Sequence, residues 1–503
     1  MPRQRKPVTS FKLVNLLKIL FSYRSGILDQ HPTPKEKIIG MNYEEALAFL
    51  QAFPDMERAT FGARGPTMGL PSMKSLLNRM GDPHKGIPTI HVTGSKGKGS
   101  TCTYLASILK AGGQRVALYT SPHLHDYTER IAFDLESISE ELFAQGVAEI
   151  KTSVEAERDA GNDTISTFGI LTALFFHLAK STPTPVQWQI VEVGLGGRYD
   201  VTNVFDAKAA AVITPISLEH AEILGSTQTE IAANKAGIVV PHCLTVLAAQ
   251  KDAGARTAVG RRCHEADSEL IDVGKKYKIK PISQDLEGQT FSMEGLGANL
   301  ELRIKMLGAH QINNAATAVA TVLGLRHRGE LEISDEAIIK GLSTAVIRGR
   351  LEILSHPLSE SNKGPVIIAD GAHNHESAAS LAQAIKHVFN KKHCIFIVGV
   401  NTDKNISAIW KELAAMSKLV ITTKSTNPRS MDPNQIADLL NVFEIDRPEV
   451  AVTQSVAEAI DKALAVAEPD DLICITGSLY VVAEAREHVL EMESAKRSAA
   501  SFY

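Results

Sequence analysis

The sequence is poor in cysteine and in aromatic residues, and it carries no marked excess of charge of either sign. Its five cysteines, Cys102, Cys243, Cys263, Cys394 and Cys474, are odd in number, scattered and form no C-x-x-C pair. That excludes a disulfide scaffold and a thiolate zinc or redox motif, and reduced thiols are expected. Lys and Arg number 53 against 57 Asp and Glu, a formal charge of -4, with only 5% aromatics. No global basic field marks a nucleic-acid partner. No apolar run approaches the roughly 18 to 20 residues of a membrane span, so no membrane partner is expected either. What remains is ordinary globular material: 44% hydrophobic and 22% charged in 503 residues. At roughly 150 residues per domain this allows two to four domains with real cores.

The first 28 residues hold Arg3, Arg5, Lys6, Lys12, Lys18 and Arg24 and no acid, with Phe11, Val14, Leu17 and Phe21 at helical spacing. A basic amphipathic helix is expected there, consistent with a transit peptide or with a frayed surface helix. Residues 1–40 are expected to stand outside the fold, which begins near Met41 with the helical MNYEEALAFL.

From there short apolar runs alternate with helical periods, which predicts a mostly parallel sheet covered by helices. Candidate strands are 89–93, 116–120, 188–193 and 210–215, each ending in a loop rich in Gly, Ser, Thr, His or charge. Ligands of such sheets sit beyond the carboxyl ends of the strands, so the four loops should converge on one crevice. A second alternating series begins near Arg350, with strands expected at 351–354, 366–369, 394–400, 419–423 and 472–476. The fold class is therefore α/β, a P-loop-type parallel sheet domain over 41–346 followed by a smaller Rossmann-like domain over 347–503. The polar stretch 251–302 is expected to form short antiparallel strands and loops at the edge of the first domain.

The chemistry is concentrated in the loops. HVTGSKGKGST (91–101) runs from strand to helix, with Gly94, Gly97 and Gly99 freeing backbone N–H groups to point inward. The helix N-terminus adds partial positive charge, Lys98 can bridge phosphate oxygens, and a hydroxyl of Ser100 or Thr101 can face phosphate or Mg²⁺. Val92 stands where the strict G-x-x-x-x-G-K-[ST] pattern has its first glycine, so this is a shortened variant. EVGLGGRYDVTNV (192–204) puts Glu192 at a strand's carboxyl end beside glycines, a place suited to a magnesium ligand as well as to a salt-bridged acid. ISLEHAEILGSTQTEIAANKAGI (216–238) places His220 after a strand and Lys235 among alanines, either drawn into the crevice or solvated on a helix face. In IIADGAHNHESAAS, Asp370 and His373 follow a strand, where a capping Asp is the plain alternative to a functional one.

The ordered set GSKGKGST, TSPHL with ERI, EVGLGGRYDVTN, LEHAEILG with NKAGI, GAHQINNAA, GRLE and DGAHN resembles the folylpolyglutamate synthase and dihydrofolate synthase family of the Mur ligase superfamily. The likeness runs from residue 41 to about 485. It implies an ATP-dependent amide ligase that joins L-glutamate to a folate, or to dihydropteroate, through an acyl phosphate. Carried over by position, it implies that Gly94, Ser95, Gly97, Lys98, Gly99, Ser100 and Thr101 hold phosphates. His310, Asn313 or Asn314, Arg350 and Asp370 would lie at the nucleotide, Ser121, Glu192 and His220 would ligate two Mg²⁺ ions, and Lys235 would be carbamylated. Asp200 would meet the pterin end of the folate, and Asp370 or His373 would assist glutamate attack. A monomer in the cytoplasm, or in the mitochondrion if residues 1–40 are a transit peptide, is the implied setting. Two departures from the family pattern are Ile347-Arg348, where Trp-Pro is common, and Glu219-His220 in place of Asp-His. A nucleotide hydrolase or sensor without ligation and a muramyl-peptide ligase are the alternatives.

Overall fold

β-Branched and apolar runs bounded by Gly, Ser and Asp become strands, as their pleated burial favours. The computed structural model describes residues 40–55, 69–162, 164–356, 364–391, 393–442 and 449–500. The basic helix expected before residue 29 lies outside the described residues. Asn42 opens the first described helix, Tyr43–Gln51, through a capping box with Glu45.

β1 (Thr89–Thr93), β2 (Val116–Tyr119), β3 (Ile131–Phe133), β4 (Glu136–Ser137), β5 (Trp188–Glu192), β6 (Ala210–Ile213), β7 (Leu244–Leu247) and β8 (Glu269–Asp272) form one sheet, in the order β4-β3-β2-β5-β1-β6-β7-β8. From β2 to β8 in that order the strands run parallel, and β3 and β4 add an antiparallel edge. Strand alternation splits β1: Ile90 and Val92 face one core and His91 the other side. On the first side lies helix Lys98–Ala111, with Tyr104, Leu105, Ile108 and Leu109 fully buried. Burying each such side chain contributes roughly 1.5–3 kcal/mol, and Leu105→Ala would cost about 2–5 kcal/mol. On the second side Tyr119, Val191, Phe143, Phe175 and Phe176 form a separate core under helices Glu140–Asp159 and Thr167–Ser181.

Residues 251–302 depart from the expectation in part. Helix Ala253–Glu265, capped by Asp252, leads into the parallel strand β8. The helix carries little apolar periodicity because alanine, glycine and arginine dominate it, which hid it. The remainder is antiparallel as expected: β9 (Lys278–Asp285), β10 (Gly288–Gly295) and β11 (Ala298–Ile304) make a three-stranded sheet.

The second series forms a six-stranded sheet from β12 (Glu352–Ser355), β13 (Val366–Asp370), β14 (Cys394–Val398), β15 (Ser417–Thr422), β16 (Glu449–Val452) and β17 (Leu472–Thr476). Its order is β12-β13-β17-β14-β15-β16, parallel except for β12. Apolar clusters cover both faces, as in a doubly wound α/β unit. The edge strand β16 was not anticipated; its four residues, EVAV, are too short and too exposed to stand out. All five cysteines are free and buried. Among the described residues no helix is long and apolar enough to cross a membrane.

Candidate active site

The loop after β1 turns on Gly94 (φ +149°) and Gly97 (φ +85°), conformations that L side chains rarely adopt. Space closes around both: a Cβ on Gly94 would stand 1.8 Å from Thr214 Oγ1, and one on Gly97 would stand 2.2 Å from Asn314 Oδ1. Helix Lys98–Ala111 therefore starts with no side-chain cap, leaving the first-turn N–H groups for an anion. Lys98 folds back onto the Gly94 carbonyl at 3.2 Å. Ser100 Oγ accepts from Gln311, which in turn accepts from Asn314 at 3.1 Å. The Thr101 hydroxyl is buried with no hydrogen-bond partner. Asn314 is thus the asparagine that touches the loop, whereas Asn313 is exposed. His310, also exposed, sits beside Gly308 at the start of helix Ala309–His327.

The other three loops meet this one. Ser121, after β2, donates its backbone N–H to Glu192 Oε2 at 3.1 Å, and that carboxylate lies against Gly99. After β6, Ser95 and Ser217 exchange hydrogen bonds, Ser217 N–H to Ser95 Oγ at 3.0 Å and Ser95 Oγ to Ser217 O at 3.2 Å. Lys235 enters from helix Gln228–Lys235 and is 1% exposed. Its ammonium reaches Glu219 Oε1 at 3.0 Å and the Gly94 carbonyl at 2.9 Å. Of the two sequence readings of Lys235, the structure takes the crevice. Burial lowers the Lys235 pKa to about 8, with Glu219 opposing the shift. Burial works the other way on Glu219, but the ammonium groups of Lys235, Lys98 and Lys96 overcome it and hold the carboxyl below its usual range. His220, at φ +47°, lies within electrostatic reach of the same lysines and is exposed.

The second sheet closes over this crest. Ser217 Oγ donates to Glu376 Oε2 at 2.7 Å, and His125 pairs with Glu487 at 2.8 Å. Ile347, where Trp-Pro is common in the family pattern, lies near Gly99 and so against the loop. Asp370 accepts backbone N–H groups from Leu351 and Ala372 at 2.8 and 2.9 Å; burial raises its pKa, and the neighbouring Arg350 guanidinium opposes the rise. That guanidinium also lies close over Gly371. His373 Nδ1 donates to the Gly371 carbonyl at 2.8 Å, which leaves Nε2 as the acceptor. Burial drives the His373 pKa to about 4. Pro122, His123, Tyr127, Arg130 and Tyr480 line a small cleft of about 60 Å³ between the two units.

Asp200 lies on the other side of β1, in the loop after β5. Its Oδ2 accepts the Leu195 N–H at 2.9 Å, and Oδ1 accepts both the N–H (2.9 Å) and the hydroxyl of Thr202. Burial raises its pKa against those hydrogen bonds. Sequence reasoning passed over Lys96, Gln311 and Glu376, which complete the crest. It also passed over His91, Thr202 and Lys208, which stand behind Asp200. For His91 a signal existed, since a histidine flanked by apolar neighbours in TIHVT must alternate into a core.

Among the described residues no three His, Cys, Asp or Glu side chains converge as a metal cage. Mg²⁺ does not require one, because it is commonly held by one or two carboxylates together with substrate phosphates and water. Glu192 against the phosphate-type loop, with the buried unpartnered Thr101 hydroxyl nearby, fits that mode of binding.

Residues 92–322 match the Mur ligase middle domain, and residues 349–479 match the Mur ligase glutamate ligase domain. The chain is 34% identical over 457 residues to a probable bifunctional folylpolyglutamate synthase/dihydropteroate synthase of Haloferax volcanii, covering 89% of this chain and 50% of that protein. It therefore spans about half the length of that relative. It is 32% identical over 433 residues to the dihydrofolate synthase/folylpolyglutamate synthase of Escherichia coli, covering 86% of this chain and 92% of that one. The structure of Escherichia coli FolC in complex with DHPP and ADP superimposes with a TM-score of 0.74 at 28% identity, over 91% of this chain and 98% of that chain. The chain belongs to the folylpolyglutamate synthase/dihydrofolate synthase family of the Mur ligases.

Proposed function

We propose that the chain is an ATP-dependent ligase that activates a carboxylate of a folate, or of dihydropteroate, and joins it to the amino group of L-glutamate. The observation that carries this reading is the convergence of Lys98, Glu192 with Ser121, and the Glu219–Lys235 pair around one glycine loop, with Glu376 reaching it from the second sheet. The family's range and the DHPP and ADP bound by the Escherichia coli structure support the choice of substrates. Units over 41–346 and 347–503 are proposed as the ATP-binding and glutamate-binding halves.

Amide formation from a carboxylate in water is uphill, so the carboxylate must first be made electrophilic. A carboxylate oxygen attacks the γ-phosphorus of ATP, the bond to ADP breaks, and an acyl phosphate forms. The glutamate amine then attacks the acyl carbon, phosphate leaves, and the nitrogen loses its proton. Positioning and neutralisation of charge carry most of such catalysis. In this reading Lys98, the loop N–H groups and the Thr101 hydroxyl bind the β- and γ-phosphates, while Asn314 and Gln311 brace the loop from behind. Ser121, Glu192 and His220 are the residues that would hold Mg²⁺, which when bound offsets triphosphate charge.

Lys235 is proposed to carry a carbamate. Its low pKa leaves part of the amine neutral near pH 7, and neutral amine plus CO₂ gives carbamate and a proton. The new anion would face Glu219, so Lys96, 3.8 Å from that carboxylate, and Lys98 supply the compensating charge. Asp370, fixed by two backbone N–H groups, orients the Arg350 turn, and neutral His373 offers Nε2 as an acceptor to the incoming amine. With a pKa near 4, His373 is a weak proton sink and acts mainly by orientation.

A monomer in a reducing, cytosol-like compartment is proposed, consistent with five free buried cysteines. The test is ADP release with ATP and Mg²⁺, omitting in turn L-glutamate, dihydropteroate and tetrahydrofolate. Release that needs glutamate together with a pteridine acceptor supports the ligase. Release indifferent to both marks a hydrolase or sensor, and dependence on a muramyl peptide marks the sibling ligases.

A further inference from the structure

Behind the Asp200 loop lies a file of buried polar groups that the phosphoryl-transfer chemistry does not use. His91 is fully buried on β1, its ring edge-on to Phe205 at 5.5 Å. A buried imidazole needs partners on both nitrogens, and it has them: Nε2 lies 2.9 Å from Thr202 Oγ1, and Nδ1 lies 2.9 Å from Lys208 Nζ. The direction of each hydrogen bond follows from counting protons. Thr202 has one hydroxyl proton, and it goes to Asp200 Oδ1. Its oxygen can then only accept, so His91 Nε2 carries the hydrogen. Nδ1 is left as a bare acceptor for Lys208. The chain runs one way, from the Lys208 amine through His91 and Thr202 to the Asp200 carboxylate.

The far end is held as firmly. Lys208 is 9% exposed and its nitrogen lies 5.2 Å from the centre of the Phe205 ring, a contact that favours a cation. Burial keeps His91 neutral and brings the Lys208 pKa down to about 7. At the near end, the Leu195 and Thr202 backbone N–H groups and the Thr202 hydroxyl occupy three of the roughly four acceptor positions of a carboxylate. The Gly194 backbone N–H also supports the carboxylate, so its orientation is fixed from several sides. Gly194 lets the Phe168 ring pack close to the carboxylate: a Cβ there would stand 2.7 Å from that ring and 3.3 Å from Asp200 Oδ2. A carboxylate held in one orientation beside an aromatic ring suits a flat heterocycle that presents N–H donors.

We propose that Lys208, His91 and Thr202 are positioning residues that fix the Asp200 carboxylate for the pterin ring, and so govern affinity for the pteridine substrate rather than the phosphoryl-transfer step. The proposal rests on the reading of Asp200 as the group that meets the pterin.

The experiment uses the full chain and compares Lys208→Met, Thr202→Val, Thr202→Ser and Asp200→Asn. It measures KM for dihydropteroate, tetrahydrofolate, ATP and L-glutamate, and inhibition by p-aminobenzoylglutamate, which lacks the pterin. Thr202→Val and Lys208→Met should raise KM for the pteridine about tenfold, the effect of losing a hydrogen bond that supports a charged group. KM for ATP and glutamate, and inhibition by the truncated compound, should stay within about twofold, and Thr202→Ser should recover most of the loss. Pteridine KM unchanged, or all KM values rising together with loss of folded protein, would overturn the relay. If Lys208→Met does not fold, the Thr202→Val and Thr202→Ser pair decides alone. Should Asp200→Asn itself leave pteridine KM unchanged, the reading of Asp200 fails. Should Asp200→Asn raise it while Thr202→Val does not, the relay fails and that reading stands.

Discussion

Lys235 and Glu219 form a buried ion pair 3.0 Å long directly beneath the carbonyl of Gly94. A lysine brought to a carboxylate at the floor of a glycine loop links helix Gln228–Lys235 to the loop after β1. Its loss therefore affects both architecture and chemistry. Lys235→Ala should leave Glu219 partly buried with only Lys96 and Lys98 to offset its charge, lowering stability by less than the roughly 3–5 kcal/mol of a fully broken buried pair. Its turnover should be lost, or be restored in part by short carboxylic acids that replace the carbamate. Steady-state rates with and without acetate or formate check this, and full activity without additive contradicts a role for the carbamate.

Lys98 donates to the Gly94 carbonyl of its own loop, and it is half-buried. Lys98→Ala should melt within a few degrees of the parent chain while kcat falls by about 10²-fold or more, the usual loss when one preorganised group is removed from developing charge. Thermal unfolding and ADP release measured on the same preparation separate the two effects. A rate near that of the parent chain would remove Lys98 from phosphate binding.

Lys208 has its pKa lowered from 10.5 to about 7 by burial. Between those values the unfolded chain binds more protons at this site than the folded chain, so stability contributed here rises with pH across that window and is flat below it. The partner facing the amine, His91, stays neutral throughout. Denaturant unfolding from pH 6 to pH 10 should show the parent chain gaining on Lys208→Met by a few kcal/mol, at roughly 1.4 kcal/mol per pKa unit. A difference between the two that does not vary with pH would place the Lys208 pKa near its ordinary value.

Much of this was legible in the sequence because each motif lies within a few residues of a strand end, and strand ends of a parallel sheet share one side. Lys98, Ser121 and Glu192 were expected together on that ground and lie around one loop, while the place of Lys235, left open between crevice and helix face, follows from the fold. What stayed hidden depends on register. Which of Asn313 and Asn314 faces Gly97 follows from helix phase: Asn314, three residues after Gln311, shares its face. Helix Ala253–Glu265 lacks an apolar stripe, and β16 is a four-residue edge, so neither gave a period to read. The file from Lys208 to Asp200 joins residues up to 117 positions apart in the chain, and no local pattern announces it. The contact of Glu376 with Ser217 crosses from one sheet unit to the other and is equally nonlocal.

The central claim is that a substrate carboxylate becomes an acyl phosphate before it meets glutamate. The direct measurement uses dihydropteroate or folate labelled with ¹⁸O in the reacting carboxylate, turned over in unlabelled water with ATP, Mg²⁺ and L-glutamate, with the released phosphate analysed by mass spectrometry. One ¹⁸O per phosphate, in step with amide formed, is the predicted result, because the carboxylate oxygen leaves with phosphorus when the amine attacks. Phosphate that carries no label while ADP accumulates would mean that water, not the carboxylate, attacks ATP, and would contradict the ligase.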